Sequence, residues 1–189
     1  MKKRILALVA VLALIGVLLP AAVFAADEGT VSCTVTATLV ALTVEDGSVA
    51  YGTLALGATE NTAYYDASDN PDGMVSPQTQ IITNTGTVAE DFNVMTSNAI
   101  GGTAWTLHTT TPGANLFTHA YNIAASGYTG TGGISFTKWA AADAYVLDVA
   151  TSVATSGVRY LELEIGMPTS ATDHTQHTIT VTVQAAQSS

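Results

Sequence analysis

A short acidic segment has the residue types for metal binding. Residues 66–76, DASDNPDGMVS, place four oxygen-bearing side chains beside a turn-forming glycine. These candidate calcium ligands are Asp66, Asp69, Asn70 and Asp72. Calcium prefers such oxygen ligands, but a calcium loop also requires a bidentate Glu at its closing position, where this sequence has Thr79. We therefore expect no cofactor at this segment, although calcium is possible there, and a solvated acidic turn is the preferred interpretation.

Two histidines near the end of the chain form a second possible metal set. His174 and His177 follow Asp173 within ATDHTQHT. Two imidazoles and a carboxylate suit a divalent transition metal. In an extended segment, however, their separation of three residues directs the two rings to opposite faces. A turn ahead of the last strand is the simpler interpretation.

The sequence contains no recognisable catalytic motif. It lacks a Gly-x-Ser-x-Gly elbow, a metalloprotease His-Glu pair and a glycine-rich phosphate loop. Glu162 and Glu164 alternate with Leu161, Leu163 and Ile165. This alternation predicts a solvent-facing strand surface rather than an acid–base pair. We therefore expect no enzymatic activity, and a hydrolase assembled from distant residues is the alternative.

The only cysteine lies in a strictly alternating segment, TVSCTVTATLVALTV, residues 30–44. Its apolar positions are Val31, Cys33, Val35, Ala37 and Leu39. The alternation predicts a strand with one buried face and one wet face, in which Cys33 is a small core hydrophobe. A lipid anchor is disfavoured because Asp27 and Glu28 separate Cys33 from the apolar leader. A disulfide to another chain is the remaining alternative.

The start of the chain has the pattern of an export signal. Basic residues 2–4 precede the apolar residues 5–19, and Val23 and Ala25 supply small residues for a cleavage site. We expect residues 1–25 to be a cleaved signal peptide. Cleavage would leave residues 26–189 as a single domain.

Removal of the signal would leave a strongly acidic protein. The mature chain would contain two basic residues, Lys138 and Arg159, and 15 Asp and Glu residues, which gives a formal net charge of −13. Such a surface repels phosphate backbones, so nucleic acid is excluded as a partner. No second apolar segment follows the leader. We therefore expect a secreted, extracellular or cell-wall-associated protein that has no membrane contact after cleavage.

Period-two patterns dominate the rest of the chain. Ile179, Val181 and Val183 alternate with threonines, and similar short runs are separated by Gly, Asn, Asp and Pro. This arrangement predicts an all-β fold, an antiparallel β-sandwich of about 7–10 strands. Residues 137–154 are the one segment that could hold a helix, with a short turn or an irregular loop as equal alternatives.

Two of the predicted strands have the character of open sheet edges. Residues 30–44 and 178–185 contain neither the lysines nor the prolines with which proteins usually blunt such edges. Self-association through these edge strands is therefore a possible mode of assembly. The net charge of −13 opposes it at low ionic strength.

Two stretches carry a resemblance to a known family. SVAYGTLALGATENT and QTQIITNTGTVAEDFNV resemble the opening of bacterial immunoglobulin-like modules of the Hydin-related kind. The matching positions are Val49, Tyr51, Gly52, Leu54, Leu56, Gly57, Ile82, Asn84, Thr85 and Gly86. The resemblance implies an immunoglobulin-like sandwich in which the apolar positions face the core. It also implies that Gly57 and Gly86 take turn conformations closed to other residues.

A shorter resemblance concerns GTAWTLHT, which is similar to the Trp-x-Leu motif of exported WxL proteins of Gram-positive bacteria. Trp105 and Leu107 match that motif. The resemblance implies a non-covalent contact with the cell wall or its glycans. The alternative is that both side chains are core anchors on one face of a strand.

Together these observations favour an exported, non-enzymatic structural or interaction module at the cell surface or in the extracellular matrix. The alternative function is a calcium- or glycan-binding β-sandwich module that uses residues 66–76. Fold alone does not determine function, and melting that depends on calcium would favour the alternative.

Overall fold

The computed structural model of the chain describes residues 35, 37–64, 73–74, 78–128 and 134–189. Residues Ala37–Ser189 form one compact unit, and the separate unit Met1–Thr36 is described only at Val35. The predicted signal peptide and Cys33 lie outside the described residues, as do the calcium candidates Asp66, Asp69, Asn70 and Asp72. Within the described ranges no helix is long and apolar enough to cross a membrane.

The described residues form eleven β-strands. They are β1 Leu42–Glu45, β2 Thr59–Tyr64, β3 Gly73–Met74, β4 Gln80–Asn84, β5 Glu90–Thr96, β6 Thr106–Leu107, β7 Leu116–Ala124, β8 Thr137–Lys138, β9 Val146–Val153, β10 Val158–Gly166 and β11 Val181–Gln187. Three of them, β3, β6 and β8, have only two residues each. The prediction of an all-β, largely antiparallel fold is confirmed.

The larger sheet is curled and is built around β10. One edge of β10 pairs with β4 over residues 158–161 and with β2 over residues 164–166, while its other edge pairs with β7. β1 extends the sheet beside β4, β3 extends it beside β2, and β6 and β8 lie beside β7. All these pairs are antiparallel except β2–β3 and β6–β7.

The smaller sheet has the order β11-β5-β9 and is antiparallel. β9 carries two irregularities in its register with β5, because Asp148 and Ser152 have positive φ angles of 54° and 49°. Asn93 Oδ1 accepts a hydrogen bond from Asp148 N (2.8 Å), and Asp91 Oδ1 accepts one from Ser152 N (2.7 Å). Each bulge of β9 is therefore held by a β5 side chain that replaces a lost main-chain partner.

The possible helix over residues 137–154 is wrong, because this segment contains β8 and β9. The alternative of a turn or irregular loop holds only for residues 139–145, which join the two strands. Ala150 and Val153 of β9 face the core opposite β5. Tertiary pairing and burial of these side chains override the helix preference of the neighbouring alanines.

The two sheets share one hydrophobic core. The larger cluster draws on both sheets and consists of Ile82, Phe92, Val94, Tyr121, Trp139, Ala150, Val153, Leu161 and Leu163. A smaller cluster consists of Ala99, Trp105, Phe117 and Ile165. Leu107 packs against the smaller cluster that contains Trp105, which confirms that both residues of the Trp-x-Leu motif are core anchors.

The predicted burial of one face of residues 30–39 is wrong where the structure describes it. Val35 is 84% exposed, Leu39 is 54% exposed, and Ala37 is exposed as well. β1 begins only at Leu42. The residues just before β1 lie alongside the turn that joins β4 to β5. Thr87 N in that turn donates a hydrogen bond to Leu39 O (2.8 Å). The chain therefore passes the end of the sheet instead of pairing along it.

Candidate binding groove

A groove of about 1330 Å³ lies between the two sheets. Leu161, Leu163 and Ile165 of β10 form one wall, and Val181 and Val183 of β11 form the opposite wall. Although the two valines point towards the core, they are only half-buried. The groove is therefore an apolar space that the chain itself fills incompletely.

A strap formed by residues 47–56 lines the third side of the groove. The side chains of two glutamines hold it, since Gln78 Oε1 accepts from Ala50 N (2.7 Å) and Gln80 Nε2 donates to Ser48 O (3.0 Å). Gln78 Nε2 also donates to Ala50 O (3.2 Å). Side chains, rather than a full strand ladder, therefore fix the strap at the side of the groove.

The strap contains the first half of the family resemblance. Val49, Tyr51 and Leu54 pack against the core clusters as expected, whereas Leu56 is 42% exposed and does not. Gly57 has a φ of 76°, the conformation that the resemblance implies.

The second glycine of the resemblance, Gly86, has a different role from the one expected. Its φ does not lie in the left-handed region, but a Cβ there would collide with Glu90 Oε1 and Leu39 O. Gly86 is therefore required by close approach of the chain rather than by a special turn conformation.

Four polar atoms on groove-lining residues are buried and have no hydrogen-bond partner among the described residues. They are Tyr51 Oη, Gln80 Oε1, Trp105 Nε1 and His119 Nε2. A buried polar group without a partner costs about 1–3 kcal/mol. These four polar groups are therefore enclosed within the apolar lining of the groove, and no described group bonds them.

Burial fixes the protonation of two of these groups. It raises the pKa of Tyr51 far above its usual range, with a smaller contribution from the charges of Glu164, Glu60 and Glu162, so the phenol keeps its proton. It lowers the pKa of His119 to about 3, so the imidazole is neutral near pH 7. His119 Nδ1 lies 2.8 Å from Thr96 Oγ1, which leaves Nε2 directed away from that bond.

A cluster around Trp105 closes one end of the groove. The rings of Trp105 and His177 are stacked, with centroids 3.7 Å apart and planes 16° apart. His177 Nδ1 lies 2.9 Å from Thr175 O, and Nε2 lies 2.9 Å from Thr103 O. Because both ring nitrogens face main-chain carbonyls, His177 is not arranged as a metal ligand. The described residues contain no group of three possible metal ligands.

Asp173 joins the same cluster through its carboxylate. It accepts hydrogen bonds from the main-chain N–H groups of Thr103 and Thr175. These bonds, led by that from Thr103, lower the pKa of Asp173 to about 2. His177 and Asp173 thus hold the segment before β11 against residues 103–105. The segment is extended and irregular rather than a regular turn.

Glu162 is not on the solvent-facing surface that the alternation predicts. It is 2% exposed and accepts hydrogen bonds from Thr62 Oγ1 (2.6 Å) and Thr79 Oγ1 (2.5 Å). Burial raises the pKa of this carboxyl, and the two hydroxyl donors partly offset the rise. The prediction fails because β2 and the residue before β4 cover this part of β10, an arrangement that strand periodicity cannot reveal.

The outer edge of β11 is open to a further strand. Ser97 N donates to Thr180 O (2.9 Å), and Ser188 N donates to Ala89 O (3.0 Å). In this antiparallel register the even-numbered residues form the hydrogen-bonded pairs with β5. Val181, Val183 and Ala185 therefore direct their N–H and C=O groups away from β5. β11 pairs with β5 alone among the described strands.

The sequence contained signals for part of the groove. Gln80 has the same strand parity as the buried Ile82, and His119 lies between Phe117 and Tyr121 on one strand face. A polar residue on an otherwise apolar face is a known indication of a functional or internally bonded site. No family model, no curated protein and no solved structure matches this chain.

Proposed function

We propose that this chain is an exported, non-enzymatic structural or interaction module that binds an extended, partly apolar partner in the groove. One observation carries the proposal: an incompletely filled apolar groove and an open strand edge coincide at β11. An extended polypeptide presents apolar side chains together with main-chain donors and acceptors, so it would match both features.

The chemistry of the groove favours binding over catalysis. His119 is neutral but deeply buried, and the ring has one nitrogen engaged by Thr96. Asp173, the carboxylate that lines the groove, is held ionised by main-chain N–H groups. Glu162, whose pKa is raised, is not part of the lining and is bonded to two threonines. His119, Asp173 and Glu162 are therefore each engaged by other groups of the chain, which favours binding over proton transfer.

Sequence features support the location and fold in this proposal. The pattern of residues 1–25 supports export, and a net charge of −13 suits solubility outside the cell. The resemblance at residues 49–57 and 82–86 supports an immunoglobulin-like topology for the two sheets. A contact with cell wall or glycan would need a surface other than Trp105, because that ring is buried.

Photo-crosslinking in the producing cells tests the proposal. A photoreactive amino acid replaces Leu56, which lines the groove and is 42% exposed, or Leu147, which lies on β9 outside the groove and is 65% exposed. We expect the protein in the medium or wall fraction, with a mature N-terminus near Ala26. We also expect crosslinked products from position 56 and few from position 147. Equal yields at both positions, or retention inside the cell, would contradict the proposal.

A further inference from the structure

We propose that the groove of one copy takes up residues 30–38 of a second copy as a strand added to the open edge of β11. This inference rests on the proposed function and names its partner: another copy of the same chain. The complex would be built from the alternating segment of one subunit and the half-filled core of the next.

The receiving copy, here called the acceptor, already has a strand edge, that of β11, to which a further strand can pair. Val181, Val183 and Ala185 turn their main-chain groups to the open edge and their half-buried side chains towards the core. An incoming strand on this edge would bond to those main-chain groups. Its inward side chains would fill the apolar part of the groove between β11 and β10.

Residues 30–38 of the other copy, here called the donor segment, have an alternating pattern that complements the apolar groove and the open edge of β11. Val31, Cys33, Val35 and Ala37 share one face, and threonines and a serine occupy the other. The single chain leaves this face in water where it is described, since Val35 is 84% exposed and Ala37 is exposed. Nine residues in extended form span about 30 Å at about 3.3 Å each. That length is sufficient to follow all seven residues of β11.

The position of the donor favours a second copy over the same chain. Ala41 N donates to Glu90 Oε1 (2.7 Å), which fixes the chain at the end of the domain where Glu90 pairs with Gln187. The lining of the groove includes Val44 of β1 as well as Val181 and Val183, and the described residues of the segment, Val35 and Ala37, are exposed rather than packed against it. A contact in which each copy donates to the next is head-to-tail.

The single cysteine of the chain provides a direct probe of this contact. Cys33 is on the apolar face of the donor, so a cysteine introduced on the groove side of β11 would approach it within disulfide range. The variants are Val181→Cys, Val183→Cys and Ala185→Cys in the secreted protein, with Leu147→Cys on the exposed face of β9 as the matched control. Each is oxidised and examined by non-reducing electrophoresis after its melting curve has confirmed that it folds.

We expect a ladder of disulfide-linked multimers from at least one β11 variant, and loss of the ladder when Cys33→Ser is added. No ladder is expected from Leu147→Cys. A linked monomer that contains an internal Cys33 disulfide would overturn the inference, because it would show that the segment closes the groove of its own chain. Absence of any Cys33 disulfide in all three β11 variants, or an equal ladder from Leu147→Cys, would overturn it as well.

Introducing a charge on one face or the other of the donor segment gives an independent test. Val35→Asp places a carboxylate on the apolar face of the donor, and Thr34→Asp places the same charge on the wet face. We expect Val35→Asp to abolish assembly in sedimentation experiments at moderate salt and Thr34→Asp to preserve it. Equal assembly of the two variants would overturn the inference. If Leu56 crosslinks only to a different protein, the inference fails while the proposed function stands.

Discussion

The side-chain amide of Asn84, at the end of β4 in the larger sheet, donates a 2.8 Å hydrogen bond to the carbonyl of Val153, at the end of β9 in the smaller sheet. The same nitrogen donates to Val88 O (2.8 Å), and Asn84 Oδ1 accepts from Gly86 N (2.8 Å). The residue is fully buried. One carboxamide therefore joins the two sheets and closes the turn between β4 and β5.

Replacement of Asn84 is expected to be strongly destabilising. Asn84→Ala removes three hydrogen bonds and leaves the buried Val153 carbonyl without this donor, whereas Gly86 N keeps its bond to Ala41 O (3.0 Å), so the free energy of unfolding should fall by about 2–3 kcal/mol. Asn122→Ala is the matched control, because Asn122 makes one exposed bond to Ser135 O (3.0 Å) and should cost about 1 kcal/mol or less. Urea unfolding measures both values, and similar losses in the two variants would contradict the role of Asn84.

Gly86→Ala should disturb the place where the chain enters the sheet. The added methyl group would collide with Glu90 Oε1 and Leu39 O, so the entering segment must move, at a cost of about 1–3 kcal/mol. In the control Gly113→Ala the new methyl group meets only the movable side chain of Leu116. We expect faster amide exchange at Ala41 in Gly86→Ala alone, and unchanged exchange there would show that the close approach is not needed.

His119 should make the protein less stable as the pH falls. Its pKa is about 3 in the folded protein and about 6.5 when unfolded, so the unfolded chain binds the proton first. The free energy of unfolding should therefore decrease by up to about 1.4 kcal/mol per pH unit between about pH 6.5 and pH 3. His119→Gln should flatten this dependence in urea unfolding, whereas the exposed His174→Gln should retain it. The same slope in both variants would argue against a neutral, buried His119.

Ionisation of Glu162 should make the folded protein less stable as the pH rises, which is opposite to the effect of His119. The pKa of Glu162 is raised by burial, so the folded protein binds this proton more tightly than the unfolded chain does. The resulting stabilisation is complete below the unfolded value of about 4.5 and is lost as the pH rises through the folded pKa. Glu162→Gln should therefore gain stability relative to wild type as the pH rises towards neutrality. Glu45→Gln on exposed β1 is the control, and parallel pH profiles of Glu162→Gln and wild type would refute the assignment.

Strand periodicity was sufficient to predict the all-β fold and the inward faces of β10 and β11. Leu161, Leu163 and Ile165 are buried, and Val181 and Val183 point inward, as alternation requires. It could not predict β9, because two bulges and an alanine-rich composition hide the period of two.

The groove was beyond prediction for a different reason. Its walls come from strands far apart in the chain, and the polarity of Gln80 and His119 acquires meaning only when both are seen to be buried in the lining of the groove. Asn84 could be singled out from its resemblance to a family motif, but its bond to Val153 depends on how the sheets approach one another. The carboxylates Asp66, Asp69 and Asp72 were prominent in the sequence, and they lie outside the described part of the chain.

The two bulges of β9 have a consequence for stoichiometry. β9 is the other border of the smaller sheet, and bulges such as those at Asp148 and Ser152 make a border unsuitable for a further strand. A copy that accepts a strand at β11 and donates residues 30–38 would then have two different binding sites for other copies, one at each of these segments. In the proposed assembly such units would join into unbranched rows rather than networks. Each row would have a direction, with an empty groove at one terminus and a free donor arm at the other.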